Sequence, residues 1–452
     1  MTADLLWPGD ARAGDLFTDA RVVAAMIEVE SAWLAVRGFP SGLAGISDLS
    51  ELVEEGGGNP VIPLLKVLRA RNPSVADHLH AGLTSQDALD TALVLCLRSV
   101  VAKTIQNLDQ QAYALASLAD RHRGTRMAAR TLTQHAIPTT FGLKAANWLN
   151  AVVDAREVLS ASANLPIQIG GAAGTLAAPT AVAGSPQAAL DLVAATARLL
   201  GLPDRAPWHT ARAPFTRIAD ALVTCTDAWG KIANDVLLAS RPEIGELSEP
   251  IAAGRGGSSA MPNKQNPVLS VLIRRAALAA PPLAATMHTA AAEAIDERPD
   301  GSWHVEWSTL RTLSRRTVVA AEQTTELVSG LVVHTDRMAT TLAAAYPGID
   351  AERRKTGGEQ PYLGANDQLI DAALTRASLA RADRAASVPA ADLAASDPAA
   401  SDPAGSDRAG SDRAGSDRAG SERAASDRAG ADRAASDRAA SDRAALDRTE
   451  GR

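Results

Sequence analysis

Two stretches of the chain place apolar side chains at alternating intervals of three and four. Ile218, Leu222, Cys225, Trp229, Ile232 and Val236 follow spacings of 4, 3, 4, 3 and 4, one stripe along a helix. Leu93, Leu97, Val100, Thr104, Leu108, Gln111, Leu115 and Leu118 run similarly, with one skip and two polar members. Neither stretch contains proline, so both predict long unbroken helices that need partners along their length, as in a bundle. Cys225 lies on the seam and reads as a small core residue. Loops are predicted at Gly56 to Pro60, at Leu165-Pro166, at Gly201 to Pro214 and at Gly254 to Pro267.

From Ala395 to Thr449 the pattern changes to a five-residue repeat of the ASDRA and GSDRA kind. A period of five matches neither the helix nor the strand, so no face of the repeat is apolar. From Arg381 onward, 12 Arg stand against 14 Asp plus Glu. Such a balanced, small-residue polyampholyte buries too little surface to offset its ordering entropy, and residues 381–452 are expected to be disordered.

Composition narrows the class. Of the 452 residues, 46% are hydrophobic and only 3% aromatic, which favours close-packed helices, and the net charge of −7 argues against a nucleic-acid partner. Two cysteines give no disulfide framework. The opening MTADLLWPGDARAGD has acids where a signal peptide needs bases and an apolar run, and Arg98 breaks the apolar stretch LVLCLRSVVA. The expectation is a soluble, cytoplasmic, all-α protein without a membrane partner.

Candidate chemistry concentrates in the loop 254–267. Glycines at 254, 256 and 257 open backbone conformations closed to other residues. Ser258, Ser259 and Lys264 then offer two hydroxyls and an ammonium to an anion, beside Met261 and Asn266. Pro267 is placed to open the following helix. The eight histidines show no metal-ligand spacing, and no metal or cofactor is implied.

The order of residues Gly257 to Pro267 resembles the signature GSSxMPxKxNP of the fumarase/aspartase superfamily at all eight specified positions. Two further stretches are similar to that superfamily's other shared regions: Thr84-Ser85-Gln86-Asp87 with Asp90, and Arg130-Thr131-Leu132-Thr133-Gln134-His135. Leu132 stands where the succinyl lyases carry histidine, which argues against an adenylosuccinate lyase. The runs Arg130 to Trp148, Gln168 to Ala177 and Glu297 to Trp307 instead resemble the bacterial 3-carboxy-cis,cis-muconate cycloisomerase family.

The resemblance implies a central bundle of long helices that assembles into a homotetramer with a 20-helix core. Each active site would draw on three subunits and take a small tricarboxylate. It implies an N-terminal helical domain over 1–110, a central long-helix domain over 111–345 and a shortened C-terminal remnant over 346–380, where Tyr346-Pro-Gly interrupts. By the same resemblance Ser258 handles the proton α to a carboxylate, with His135 as acid/base or carboxylate binder and Lys264 on the developing charge. Thr84, Ser85, Gln86, Arg130, Thr131, Gln134, Ser259, Met261, Asn266 and Arg298 are the expected substrate contacts. The reaction implied closes a lactone and belongs to protocatechuate degradation by the β-ketoadipate route. A catalytically silent tetrameric scaffold is the alternative from a different class, motivated by the shortened C-terminal region.

Overall fold

The computed structural model describes residues 4–53, 55–257, 260–261, 264–357 and 362–387. Ser258, Ser259 and residues 388–452 lie outside them; of the tail expected to be disordered from residue 381, residues 381–387 are instead the end of a helix, and the expectation for the rest falls outside the described residues. In chain order the helices are α1 (Asp19–Val36), α2 (Val61–Arg71), α3 (Ser85–Arg121), α4 (Phe141–Ser162), α5 (Ala177–Ala183), α6 (Pro186–Leu200), α7 (Ala213–Ala239), α8 (Val268–Ala292), α9 (Gly301–Ser329), α10 (Thr335–Thr356) and α11 (Asn366–Ser387). The strands are β1 (Arg126–Thr131), β2 (Gln134–Thr140), β3 (Leu247–Ser248) and β4 (Val332–Val333), paired as two antiparallel ribbons, β1 with β2 and β3 with β4. The chain is thus a helical protein with two short ribbons.

Five long helices make the frame. α3 packs on α4 and α9, α4 on α7, α7 on α8 and α9, and α8 on α9, which closes them into a bundle. The periodicity explains why. Every member of the α7 seam from Ile218 to Val236 is buried, and so is every member of the α3 seam from Leu93 to Leu118. Each such leucine or isoleucine contributes roughly 1.5–3 kcal/mol by leaving water. The two polar members are satisfied rather than tolerated: Gln111 donates to the Ala321 carbonyl at 2.9 Å and accepts from the Trp229 indole at 2.7 Å, while the Thr104 hydroxyl donates to the Val100 carbonyl at 2.8 Å.

Around the frame, α1 packs on α3 and α6, α11 on α4 and α3, and the β1–β2 ribbon on α10. Gly142 permits the entry into α4: a Cβ there would lie 2.6 Å from the Cα of Arg123 and 2.7 Å from the Ala119 carbonyl. α8 is the one described helix long and apolar enough, by length and composition, to cross a membrane; it packs against α7 and α9, with a third of its most apolar window buried. Its own buried stripe runs through Leu269, Ile273, Ala276, Ala280, Ala284 and Met287.

Several expectations change. α3 runs unbroken from 85 to 121, so the bundle begins before residue 111 and no break falls at 110. Tyr346-Pro-Gly does not interrupt; α10 continues through Pro347 and Gly348 to Thr356. Proline removes one donor from the helix, and burial of Leu342, Ala345 and Ile349 on either side holds the helix together. Pro267 is the residue before α8 rather than its first. The first free donors of that helix, Leu269 and Ser270 N–H, are capped by the Glu249 carboxylate at 2.9 and 2.6 Å.

Both cysteines are buried, and burial raises each thiol's pKa to about 12. Iodoacetamide at pH 8 is expected to leave the native protein unmodified and to label both thiols after denaturation, counted by intact mass.

Candidate active site

The Thr84 region is built at the N-terminus of α3. Asp87 reaches back to accept from the Thr84 backbone N–H at 2.9 Å, one arm of a capping box. Its oxygens also accept from the backbone N–H groups of Gly170 (2.8 Å) and Gly171 (3.0 Å), and they lie 3.2 Å from His209 Nε2. Thr91 adds a second stitch, donating to the Gln168 carbonyl at 2.8 Å and accepting from the Gln168 N–H at 3.1 Å. The Gln168-Ile-Gly-Gly segment is thereby sewn to the first two turns of α3. Gly82, at φ +88° with Pro179 backbone 3.2 Å from where its Cβ would be, lets the loop before Thr84 lie against α5.

Thr84 is buried, and its hydroxyl accepts from Arg298 Nη1 at 2.7 Å. The Arg298 guanidinium also lies over the Trp303 ring at 5.5 Å. A guanidinium, a short hydroxyl and the positive end of a 37-residue helix converge at this corner, which suits a carboxylate.

Beneath it lies a charge cluster. Arg212 donates to Asp90 (2.7 and 3.2 Å) and to Glu306 (3.0 and 2.5 Å), and all three side chains are buried. Asp90 also accepts from the Trp303 indole at 2.9 Å. The cluster thus holds the ring on which Arg298 rests. Burial works against the Arg212 charge, but the two carboxylates outweigh it and raise its pKa above the ordinary value. Burial raises the pKa of Glu306 despite the opposing Arg212, and Asp90 adds to the rise.

The other expected contacts divide. Ser85 is half-buried beside Thr84. Gln86, expected to face substrate, turns inward: it is fully buried and its amide donates to Asp90 (3.2 Å) and the His209 carbonyl (3.0 Å). Arg130, expected on a substrate carboxylate, makes a two-pronged pair with buried Glu246 at 2.8 Å. Thr131, Gln134 and His135 lie at the exposed tip of the β1–β2 ribbon, so His135 stands on a strand. That tip is a two-residue turn in which Leu132 (φ +48°) and Thr133 (φ +70°) both take the left-handed conformation, and Leu132 is 96% exposed. Such a turn ordinarily recruits Asn or Gly, so the tip carries local strain.

The described flanks of the signature loop are tied together. Asn266 donates through its backbone (2.8 Å) and its amide (3.0 Å) to the Gly256 carbonyl, and Gln265 donates to the Arg255 carbonyl at 3.0 Å. Gly256 sits at φ +80°, where a Cβ would meet the Gln265 amide at 2.3 Å. Asn266 therefore fixes the loop. Arg255 anchors the stem by pairing with Glu326, which also accepts from Arg12 at 2.6 Å. Met261 and Lys264 are exposed.

Sequence reasoning quoted Asp87 and Asp90 only as part of a shared region, with no site role for either, and it gave no role to Arg212, Glu306 or Glu246. One signal existed: Asp87 and Asp90, three apart, open the apolar run ALDTALVLCL and share its buried face. Among the described residues no three His, Cys, Asp or Glu side chains are grouped to hold a metal ion.

Comparison with known proteins fits this arrangement. The family described as Lyase matches residues 48–280. The chain is 47% identical over 303 residues to a nitrosuccinate lyase of Streptomyces davaonensis, spanning 65% of this chain and 64%, less than two thirds, of that protein. It is 39% identical over 345 residues to a 3-carboxy-cis,cis-muconate cycloisomerase of Bradyrhizobium diazoefficiens, spanning 74% of this chain and 75% of that one. The crystal structure of the 3-carboxy-cis,cis-muconate lactonizing enzyme of Pseudomonas putida superposes with a TM-score of 0.70 at 28% identity, covering 82% of this chain and 97% of that one. With its signature loop, its long-helix bundle and these relatives, the chain belongs to the fumarase/aspartase superfamily of lyases.

Proposed function

We propose that this protein is a cycloisomerase that converts 3-carboxy-cis,cis-muconate to 4-carboxymuconolactone. One substrate carboxylate adds to the conjugated double bond and a proton is delivered to the carbon α to another carboxylate, with no change of formula. The observation that carries a polycarboxylate substrate is the corner where Arg298 meets Thr84 at the start of α3. Charge is the difficulty of this reaction: the intermediate is an aci-carboxylate with an added negative charge. Donors already aimed at it lower the barrier, one well-placed donor being worth about 3 kcal/mol. Lys264 supplies the cation for that charge, and Ser258 or His135 moves the proton. A serine needs the loop's N–H groups and the lysine to favour its alkoxide, whereas an imidazole is by nature a stronger base than a hydroxyl.

In this reading the sites are shared among subunits of a homotetramer, supported by where the parts sit. Thr84 and Arg298 meet in one protomer, whereas His135 and Lys264 stand exposed on other elements. α8 also leaves Val271 (51%) and Leu278 (68%) exposed one heptad apart, a stripe suited to another copy.

A second reading, favoured by the 47% identity to the nitrosuccinate lyase, uses the same chemistry in the elimination direction. The proton α to one carboxylate is removed, the C–N bond breaks and nitrite leaves, giving fumarate. One experiment separates the two: the purified chain is given each substrate, with loss of diene absorbance and release of nitrite as readouts. Diene loss alone establishes the cycloisomerase, nitrite release alone establishes the lyase, and neither reaction in a tetrameric protein supports the silent scaffold. Whichever substrate turns over, Arg298→Ala is expected to raise KM about 10- to 100-fold, the loss of one charge-assisted hydrogen bond. An unchanged KM would remove Arg298 from the site.

A further inference from the structure

Along the β1–β2 ribbon from Met127 to Arg130, the ribbon, α4, α7, β3 and α10 line a partly open cavity of about 300 Å³. Its walls are largely apolar, with Met127, Leu143, Leu238, Leu247 and Met338 among them. One corner is charged. The Asp235 Oδ2 atom accepts from the Trp148 indole at 2.8 Å and pairs with Lys231, and Lys144 Nζ lies 3.6 Å from the same oxygen. Lys144 thus has one carboxylate partner among the described residues, at a distance long for a hydrogen bond and already shared with two other donors. Burial lowers the Lys144 pKa, opposed by Asp235 and assisted by Lys231 and Arg130. The Arg130–Glu246 pair on another wall is internally neutral. Lys144 and Lys231 against the single Asp235 leave the corner with one positive charge in excess.

A cavity of this size with one uncompensated cation and an apolar remainder has the make-up of a small-molecule site. We propose that it binds a small carboxylate with an apolar body, of the aromatic monocarboxylate class, its carboxylate on Lys144 and its ring among Met127, Leu143 and Met338. This is separate from the polycarboxylate corner at Thr84 and does not depend on the reaction assigned to that corner. A ligand here would bridge the ribbon that carries His135 to the frame helices α4 and α7.

Calorimetric titration of the full chain with benzoate, and with the neutral isostere benzamide, tests the proposal. Benzoate is expected to bind saturably and benzamide at least 10-fold more weakly. Lys144→Met is expected to weaken benzoate at least 10-fold. Asn147→Trp, which fills the cavity from an exposed position on α4, is expected to do the same, and it carries the test if Lys144→Met fails to fold. Arg298→Ala should leave benzoate binding unchanged. Absence of benzoate binding, equal binding of benzamide, binding untouched by the cavity variants or binding lost in Arg298→Ala would each overturn the assignment.

Discussion

Replacing Arg212 with leucine is expected to destabilise the protein by about 3–5 kcal/mol, the cost of leaving buried charge without its partner. Asp90 and Glu306 are both buried and both receive two donors from this one guanidinium. Without it, two carboxylates a few ångströms apart face each other in a dry interior. The loss has a pH signature whose sign is fixed. Burial already holds the Glu306 pKa above its ordinary value, so the folded state binds this proton more tightly than the unfolded chain does. Stability from this group is therefore greatest at acid pH and falls as pH rises through and above the ordinary carboxylate range. Removing Arg212 moves the Glu306 carboxyl further in that direction, adding up to about 1.4 kcal/mol of loss per pH unit across its shifted window. Urea unfolding at pH 5 and pH 8 measures it: the deficit of Arg212→Leu should be clearly larger at pH 8. An equal deficit at both pH values would mean that the acids rehydrate or separate when the arginine is removed. Adding Glu306→Gln to the variant should recover part of the loss at pH 8 and little at pH 5.

Ser258→Ala is expected to lower kcat by about 10²–10⁴-fold while leaving the fold intact, the usual range for a positioned proton-transfer group. The serine is the first hydroxyl of the signature, and the stem beside it is locked by the bonds from Asn266 and Gln265. His135→Asn is the matched control. If Ser258→Ala keeps wild-type kcat and His135→Asn loses it, the proton passes through the histidine. If both lose it, one acts as the acid and the other as its partner or as a carboxylate contact. Thermal unfolding of each variant separates a catalytic loss from a folding defect, and the wild-type midpoint is expected for Ser258→Ala.

The sequence alone determined the frame, because a seam repeating every three and four residues is a local property. One helix displays it whatever packs against it, so Leu93 to Leu118 and Ile218 to Val236 announced their buried faces. It also determined the superfamily, since the order of residues 257–267 survives in linear form. The tertiary structure decided the rest, because those features couple distant positions. Arg212 pairs with Asp90, 122 residues away, and with Glu306, 94 residues away, and no periodicity encodes such a meeting. The same holds for Arg130 and Glu246, 116 residues apart, whose pairing turned an expected substrate contact inward. Gln86 could be assigned to core or substrate only once His209 was in place. The ribbon around His135 escaped the sequence because its turn is Leu132-Thr133, without the Asn or Gly that marks a hairpin, and tertiary packing against α10 holds the strands in register. Tyr346-Pro-Gly is an interruption only by comparison with the resembled family; in the structure the helix runs through Pro347, because burying the residues around it outweighs one missing hydrogen bond.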